Sequence, residues 1–222
     1  MIYCIIQARM GATRLPGKVL KQFCGKSVLM HIVDRLKYAD VDKIIVATSR
    51  NPENNGIVKE CMDNDVYYFK GSENNVLGRY YNCAEYEGMK QDDGIIRITA
   101  DCPLVDPEII NKLIKLWQKN TDKYVSNVEP STYPDGYDCE MFSFGLLQQA
   151  WQKATVDEQE HVTTWLRKNA KKVTLKNDMD LSKVRLTLDT QEDFEVIEKI
   201  YNKLYKKDRV FLFDDVLRYL GV

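Results

Sequence analysis

An α/β fold with a mostly parallel central sheet and flanking helices is what this sequence predicts. Three observations carry that reading: short apolar runs rich in Ile and Val, amphipathic segments between them, and Gly- and Pro-bearing loops at the joints. The first run, Ile2–Gln7, reads as a strand. After a loop holding Gly11, Pro16 and Gly17, a helix is expected from about Ser27 to Lys37. Ser27 suits its N-cap, and Val28, Leu29, Ile32, Val33 and Leu36 form its apolar stripe. Lys43–Thr48 is a second strand, Pro52–Asp63 a helix with Pro in its first turn, and Val66–Phe69 a third strand. A helix at Val76–Glu87, a strand at Gly94–Thr99 and a helix from Pro107 to Lys119, capped by Asp106, complete the regular alternation. Right-handed crossovers then place each helix on a sheet face.

The pattern loosens after Tyr124. The Pro-rich stretch near 124–142 reads as a short excursion: a loop, then a short strand or hairpin arm. Helices are expected again at Leu146–Lys153 and Glu158–Lys168, and strands at Lys172–Leu175 and Val184–Leu188. Helices near Glu192–Tyr205 and Asp214–Leu220 follow. No repeat or linker divides residues 1–222, so one domain is the economical reading.

Bulk properties narrow the function. With 32 Lys and Arg against 33 Asp and Glu, no global field points to nucleic acid or an anionic membrane. No apolar run approaches the roughly 20 residues of a spanning helix, and the first residues do not have the layout of a signal peptide. A cytoplasmic protein is expected. The six cysteines are scattered singly and only two histidines accompany them, which argues against structural zinc and a disulfide framework.

The first strand runs into QARMGATRLPGK, which carries Arg9, Arg14 and Lys18 with Gly11 and Gly17 between them. Ligands of open parallel sheets bind beyond the strands' carboxyl ends. Glycine lets backbone approach phosphate oxygens, Arg offers a planar fork and Lys a point charge. A solvated basic turn would have the same composition. The spacing is neither a Walker loop nor a dinucleotide fingerprint.

A first strand followed by A-R-M-G-A-T-R-L-P-G-K resembles the cytidylyltransferases that make CMP-sugar acids, such as CMP-Kdo synthetase. It strongly resembles their spore-coat polysaccharide relatives, the SpsF-type proteins. The resemblance continues through TADCPLVDP, PDGYDCE, EQEHVTTWLR and RLTLDTQEDF. It implies a glycosyltransferase-A-like nucleotide-binding fold and transfer of CMP from CTP to a small anionic sugar-like acceptor; the alternatives are another nucleoside triphosphate or a non-sugar phosphate acceptor on the same fold, or a catalytically silent nucleotide-binding protein. It further implies nucleotide contacts from Gln7, Ala8, Arg9, Gly11, Thr13, Arg14, Lys18, Thr99 and Ala100, with Arg14, Lys18 and Asp101 taking part in catalysis. Gln7 stands where proline is usual in CMP-Kdo synthetases, and Cys102 interrupts their acidic-Pro pattern. Both departures suit the SpsF-like branch.

Asp101 and Asp189 each follow an expected strand, so each can meet a ligand or cap the next turn. The resemblance implies that they hold magnesium, which takes hard oxygen ligands. On the acceptor side, Tyr137, Asp138, Glu140, Glu160 and His161 are the candidates; a solvated turn and a helix cap are the plainer readings of these segments. Neither Cys102 nor Cys139 sits in a context that marks an activated thiolate. Glycosyl transfer would want an Asp-x-Asp after the fourth strand, which is lacking. Relatives commonly pair through an excursion like Tyr124–Phe142, so a homodimer is a further expectation.

Overall fold

A computed structural model describes all 222 residues. Its centre is a seven-stranded sheet of order β5-β4-β1-β6-β8-β7-β9. The strands are β1 (Ile2–Gln7), β4 (Lys43–Ser49), β5 (Tyr67–Gly71), β6 (Gly94–Thr99), β7 (Tyr124–Ser126), β8 (Glu140–Ser143) and β9 (Lys172–Thr174); β2 (Gln22–Phe23) and β3 (Lys26–Ser27) form a separate small hairpin. β1, β4, β5 and β6 pair in parallel, and β8 is antiparallel to both its neighbours.

Around the sheet lie α1 (Val28–Leu36), α2 (Asn55–Asp63), α3 (Val76–Tyr86), α4 (Pro107–Gln118), α5 (Phe144–Lys153), α6 (Thr164–Asn169), α7 (Gln191–Leu204) and α8 (Phe213–Leu220). Their starts are written in local chemistry. The Ser27 side chain accepts from the Met30 amide, and Asp106 accepts from the Glu108 and Ile109 amides. Thr190 and Asp193 form a reciprocal capping box at α7.

β1 is buried on both faces, as a central parallel strand requires. Cys4 and Ile6 join the apolar cluster that includes α1, α4 and α7 residues, while Tyr3 and Ile5 join the one that includes α3 and α5 residues. Each fully buried isoleucine of this strand contributes about 1.5–3 kcal/mol relative to exposure. No helix is long and apolar enough to cross a membrane.

Two sequence expectations need correction. Val184–Leu188 forms no strand: its only β-bridge is that of Arg185 with Asp135. Leu186 N–H donates to the Asp135 carbonyl and Leu188 N–H to the Asp101 carbonyl, so this segment is stitched to two loops instead of one ladder. The expected Glu158–Lys168 helix is broken: a short 3-10 turn spans Asp157–Glu160, and α6 begins only at Thr164. The segment 124–142 takes one of the two forms expected of it, a loop followed by a short strand. Its ends are β7 and β8 in the main sheet, and Tyr124, Tyr133 and Tyr137 are buried.

Candidate active site

Strand order reverses between β1 and β6, because β4 and β5 follow β1 on one side and β6 flanks it on the other. The carboxyl ends of these two strands therefore open a crevice. Gln7 and Thr99, the last residues of β1 and β6, are register partners there.

The basic loop leaves β1 at this point. It is anchored rather than free: the Met10 amide donates to Asn54 Oδ1 at 2.8 Å, and buried Asn54 in turn donates to Ser49. Gly17 closes the loop with φ near 69°, a conformation that favours glycine, and donates to the Met10 carbonyl. A 3-10 turn over Lys18–Leu20 follows, in place of a full helix. Lys18 is thereby drawn inward, whereas Arg9 and Arg14 stay largely exposed.

The acidic residues meet Lys18. Its Nζ lies 2.9 Å from Asp189 Oδ1, 3.2 Å from Asp101 Oδ2 and 2.7 Å from the Leu188 carbonyl. The other Asp189 oxygen takes Arg14 at 2.8 Å and Arg185 at 2.7 Å. Burial on its own would raise the Asp189 pKa; hydrogen bonds from Lys18 and Arg185 outweigh it and hold the group below the usual range. Gly136 lets the two loops approach so closely. A side chain there would sit 2.5 Å from Leu186 backbone atoms, and its φ is near 110°.

These groups surround a cavity of about 290 Å³, whose walls include Gln7, Arg9, Thr13, Arg14, Lys18, Thr99, Ala100, Asp101 and Asp189. Gly11 is not among its lining residues. Three cations beside a crevice suit a polyphosphate. The residues also fit magnesium: two carboxylates from separate loops converge on one ammonium, and hard oxygens are what that ion takes. No three acidic, His or Cys side chains converge, so a bound magnesium would complete its shell with phosphate and water oxygens. Cys102 and Cys139 are buried, and burial pushes both thiols well above their ordinary pKa, which leaves no thiolate nucleophile.

A second cavity of about 160 Å³ shares Gln7 and Arg9 with the first and adds Ala8, Glu73, Asn74, Val76, Arg79, Glu160 and His161. The structure thus brings two acceptor candidates, Glu160 and His161, beside the basic loop. The break between the 3-10 turn and α6 is what exposes them.

Two other acceptor candidates are corrected. Tyr137 is 1 % exposed and packs edge-on against Phe213, and Glu140 is 0 % exposed, clamped between Arg97 and Arg167. Glu140 opens β8, whose four residues are all buried, and Tyr137 lies in the buried approach to it, so neither side chain reaches the surface. Asp138 is only partly buried; burial, then Asp135 and Glu140, push its pKa up to about 6.

Sequence reasoning missed Arg185, Arg97, Arg79 and Glu73. Arg79 is 2 % exposed, donates to the Ser72 and Glu73 carbonyls, and walls the second cavity. An arginine in the first turn of α3, right after the turn-rich GSENN, was the available signal. Another cavity, about 270 Å³ and lined by Lys26, His31 and Phe211 among others, contains none of the candidate site residues.

Comparison with known proteins agrees with this geometry. The cytidylyltransferase family profile matches residues 3–215. An uncharacterised protein of Methanocaldococcus jannaschii is 39% identical over 210 residues, covering 91% of this chain and 82% of its own. The Bacillus subtilis spore coat polysaccharide biosynthesis protein SpsF is 32% identical over 216 residues, covering 91% of this chain and 87% of its own. A solved cytidylyltransferase from Leptospira borgpetersenii superposes with a TM-score of 0.92 at 30% identity, covering 99% of this chain and 93% of that one. With the sheet, the crevice and the basic loop all in place, this chain belongs to the cytidylyltransferase family.

Proposed function

We propose that this nucleotidyltransferase moves CMP from CTP to a small anionic sugar-like acceptor and releases pyrophosphate, in the synthesis of a surface polysaccharide or glycoconjugate. The observation that carries the reading is the Lys18 ammonium held between Asp101 and Asp189, with Arg14 on the same Asp189 carboxylate. Cations for a triphosphate and carboxylates for a metal stand together at the point where a parallel sheet binds its ligand. The name of the Bacillus relative supports the polysaccharide role.

In this reading an acceptor oxygen, of a phosphate or of a hydroxyl that gives up its proton to solvent, attacks the α-phosphorus in line. The bond from that phosphorus to the departing pyrophosphate oxygen breaks. Arg14 and Lys18 hold the leaving pyrophosphate, and Arg9 supports the triphosphate. Magnesium, when bound by Asp101 and Asp189, supplies neutralisation of phosphate charge. The protein's task is chiefly to position and neutralise. Glu160, His161 and Asp138 remain the acceptor-side candidates.

The test is pyrophosphate release with each of the four nucleoside triphosphates and magnesium, against pools of sugar acids and sugar phosphates. Release with CTP alone supports the proposal, and splitting the active pool names the acceptor. Release with another triphosphate keeps the chemistry and overturns the choice of CTP.

A further inference from the structure

Gln7 belongs to both cavities, and its side chain is engaged on one side only. Its Oε1 accepts a hydrogen bond from Arg97 Nε at 3.1 Å. An arginine Nε–H is a donor and never an acceptor, so it faces the oxygen of the amide and not the nitrogen. The Gln7 amide nitrogen has no hydrogen-bond partner in the protein and is not sealed in the interior. Its two hydrogens are left for a ligand.

Arg97 is itself held. It stands on β6 in register with Ile5, two pairs before Gln7 and Thr99, which makes Gln7 its diagonal neighbour on the same sheet face. Its Nη1 pairs with Glu140 Oε2. The other Glu140 oxygen accepts from Tyr124, from Thr163 at 3.0 Å and from Arg167 Nε at 3.0 Å. One fully buried carboxylate thus ties the end of the central sheet to the segment behind His161. A buried ion pair is weak evidence for stability, since apolar packing often serves as well or better. A satisfied polar network does specify one arrangement of its members.

We propose that Arg97 is a positioning residue for nucleotide recognition: anchored by Glu140, it sets the Gln7 amide so that its NH₂ group donates to an oxygen of the nucleotide. That oxygen belongs either to a phosphate or to the pyrimidine carbonyl. The inference rests on the nucleotidyltransferase reading of this crevice and adds a residue the sequence did not point to.

The test is calorimetric titration of the full chain with CTP and magnesium, for wild type, Gln7→Met, Arg97→Lys and the double variant. Lysine keeps a charge near Glu140 but cannot present the Nε–H. Each single variant is expected to weaken CTP binding about three- to tenfold, the worth of one hydrogen bond. The double variant is expected to be no weaker than Gln7→Met, because Arg97 acts through Gln7. In turnover assays the CTP KM rises while kcat holds. Competition by inorganic tripolyphosphate locates the oxygen: equal loss of its affinity places it on phosphate, and undiminished affinity places it on the base.

Unchanged CTP affinity in Gln7→Met, whose change lies outside the Glu140 ion pairs, overturns the inference. So does additivity of the two losses. Gln7→Met also decides the matter if Arg97→Lys fails to fold. A wild type that binds no nucleoside triphosphate removes the underlying reading instead, which distinguishes the two failures.

Discussion

Lys18 and Asp189 lie 171 positions apart in the chain, yet their charged atoms are 2.9 Å from each other. Asp101 joins the same ammonium at 3.2 Å, so the N-terminal loop, the end of β6 and the segment before α7 meet at one cation. Removing that cation by Lys18→Met leaves Asp101 and Asp189 facing each other without it. Turnover is expected to fall about 10²- to 10³-fold, the usual worth of one charge-stabilising group. Steady-state pyrophosphate release measures it, with circular dichroism to confirm the fold. A loss below threefold would exclude Lys18 from the chemistry.

Glu140 provides a stability prediction. Burial alone would raise its pKa, but Arg97 and Arg167 overcome this and bring it from 4.5 down to about 2. A carboxylate with a lowered folded pKa contributes stability above its unfolded value. That stability is lost as pH falls from about 4.5 to about 2. Glu140→Gln, which leaves two arginines without their counter-charge, is expected to cost about 3 kcal/mol at neutral pH. The melting temperature should drop by roughly 6–12 °C. Thermal melts at pH 7 and pH 3 check both claims: the gap between variant and wild type should narrow in acid.

Asp138 has the opposite sign. Its folded pKa is raised from 3.8 to about 6, by burial first and then by Asp135 and Glu140. Between these values the unfolded chain releases the proton while the folded chain keeps it, so stability falls as pH rises through the window. Asp138→Asn is therefore expected to be more stable than wild type at pH 7.5, by about 1–3 kcal/mol. The two should coincide below roughly pH 3, where the carboxyl is protonated in both states. Urea denaturation at the two pH values decides it; a variant less stable at pH 7.5 contradicts the assignment.

His161 is exposed and lines the second cavity together with Glu160, Arg9 and Glu73. As an acceptor-side group it should affect the acceptor and not the nucleotide. His161→Ala is expected to raise the acceptor KM about tenfold, with the CTP KM unchanged. Initial rates with each substrate varied in turn would show it, and a rise in the CTP KM alone would move His161 to the nucleotide side.

Local chemistry in the chain determined much of this protein. Ile2–Gln7 and Gly94–Thr99 are strands as read, because each is a short apolar run bounded by breakers. The caps Ser27 and Asp106 act where expected, since one side-chain oxygen beside orphan amides needs no distant partner. The loop from Arg9 to Lys18 was singled out by its family resemblance, because a solvated basic turn has the same composition. Other features depended on residues far away in sequence. Val184–Leu188 is apolar enough for a strand, but its partners proved to be Asp101 and Asp135 in two separate loops. Glu140 looked like a polar loop residue until Arg97 and Arg167 closed over it. Arg185 and Arg97 stayed invisible for the same reason: a cation's role is set by which carboxylates it meets. Periodicity and caps are local and the sequence determined them; charge pairing across the crevice is long-range, so only the tertiary structure decided which side chains line the crevice and which are buried beneath it.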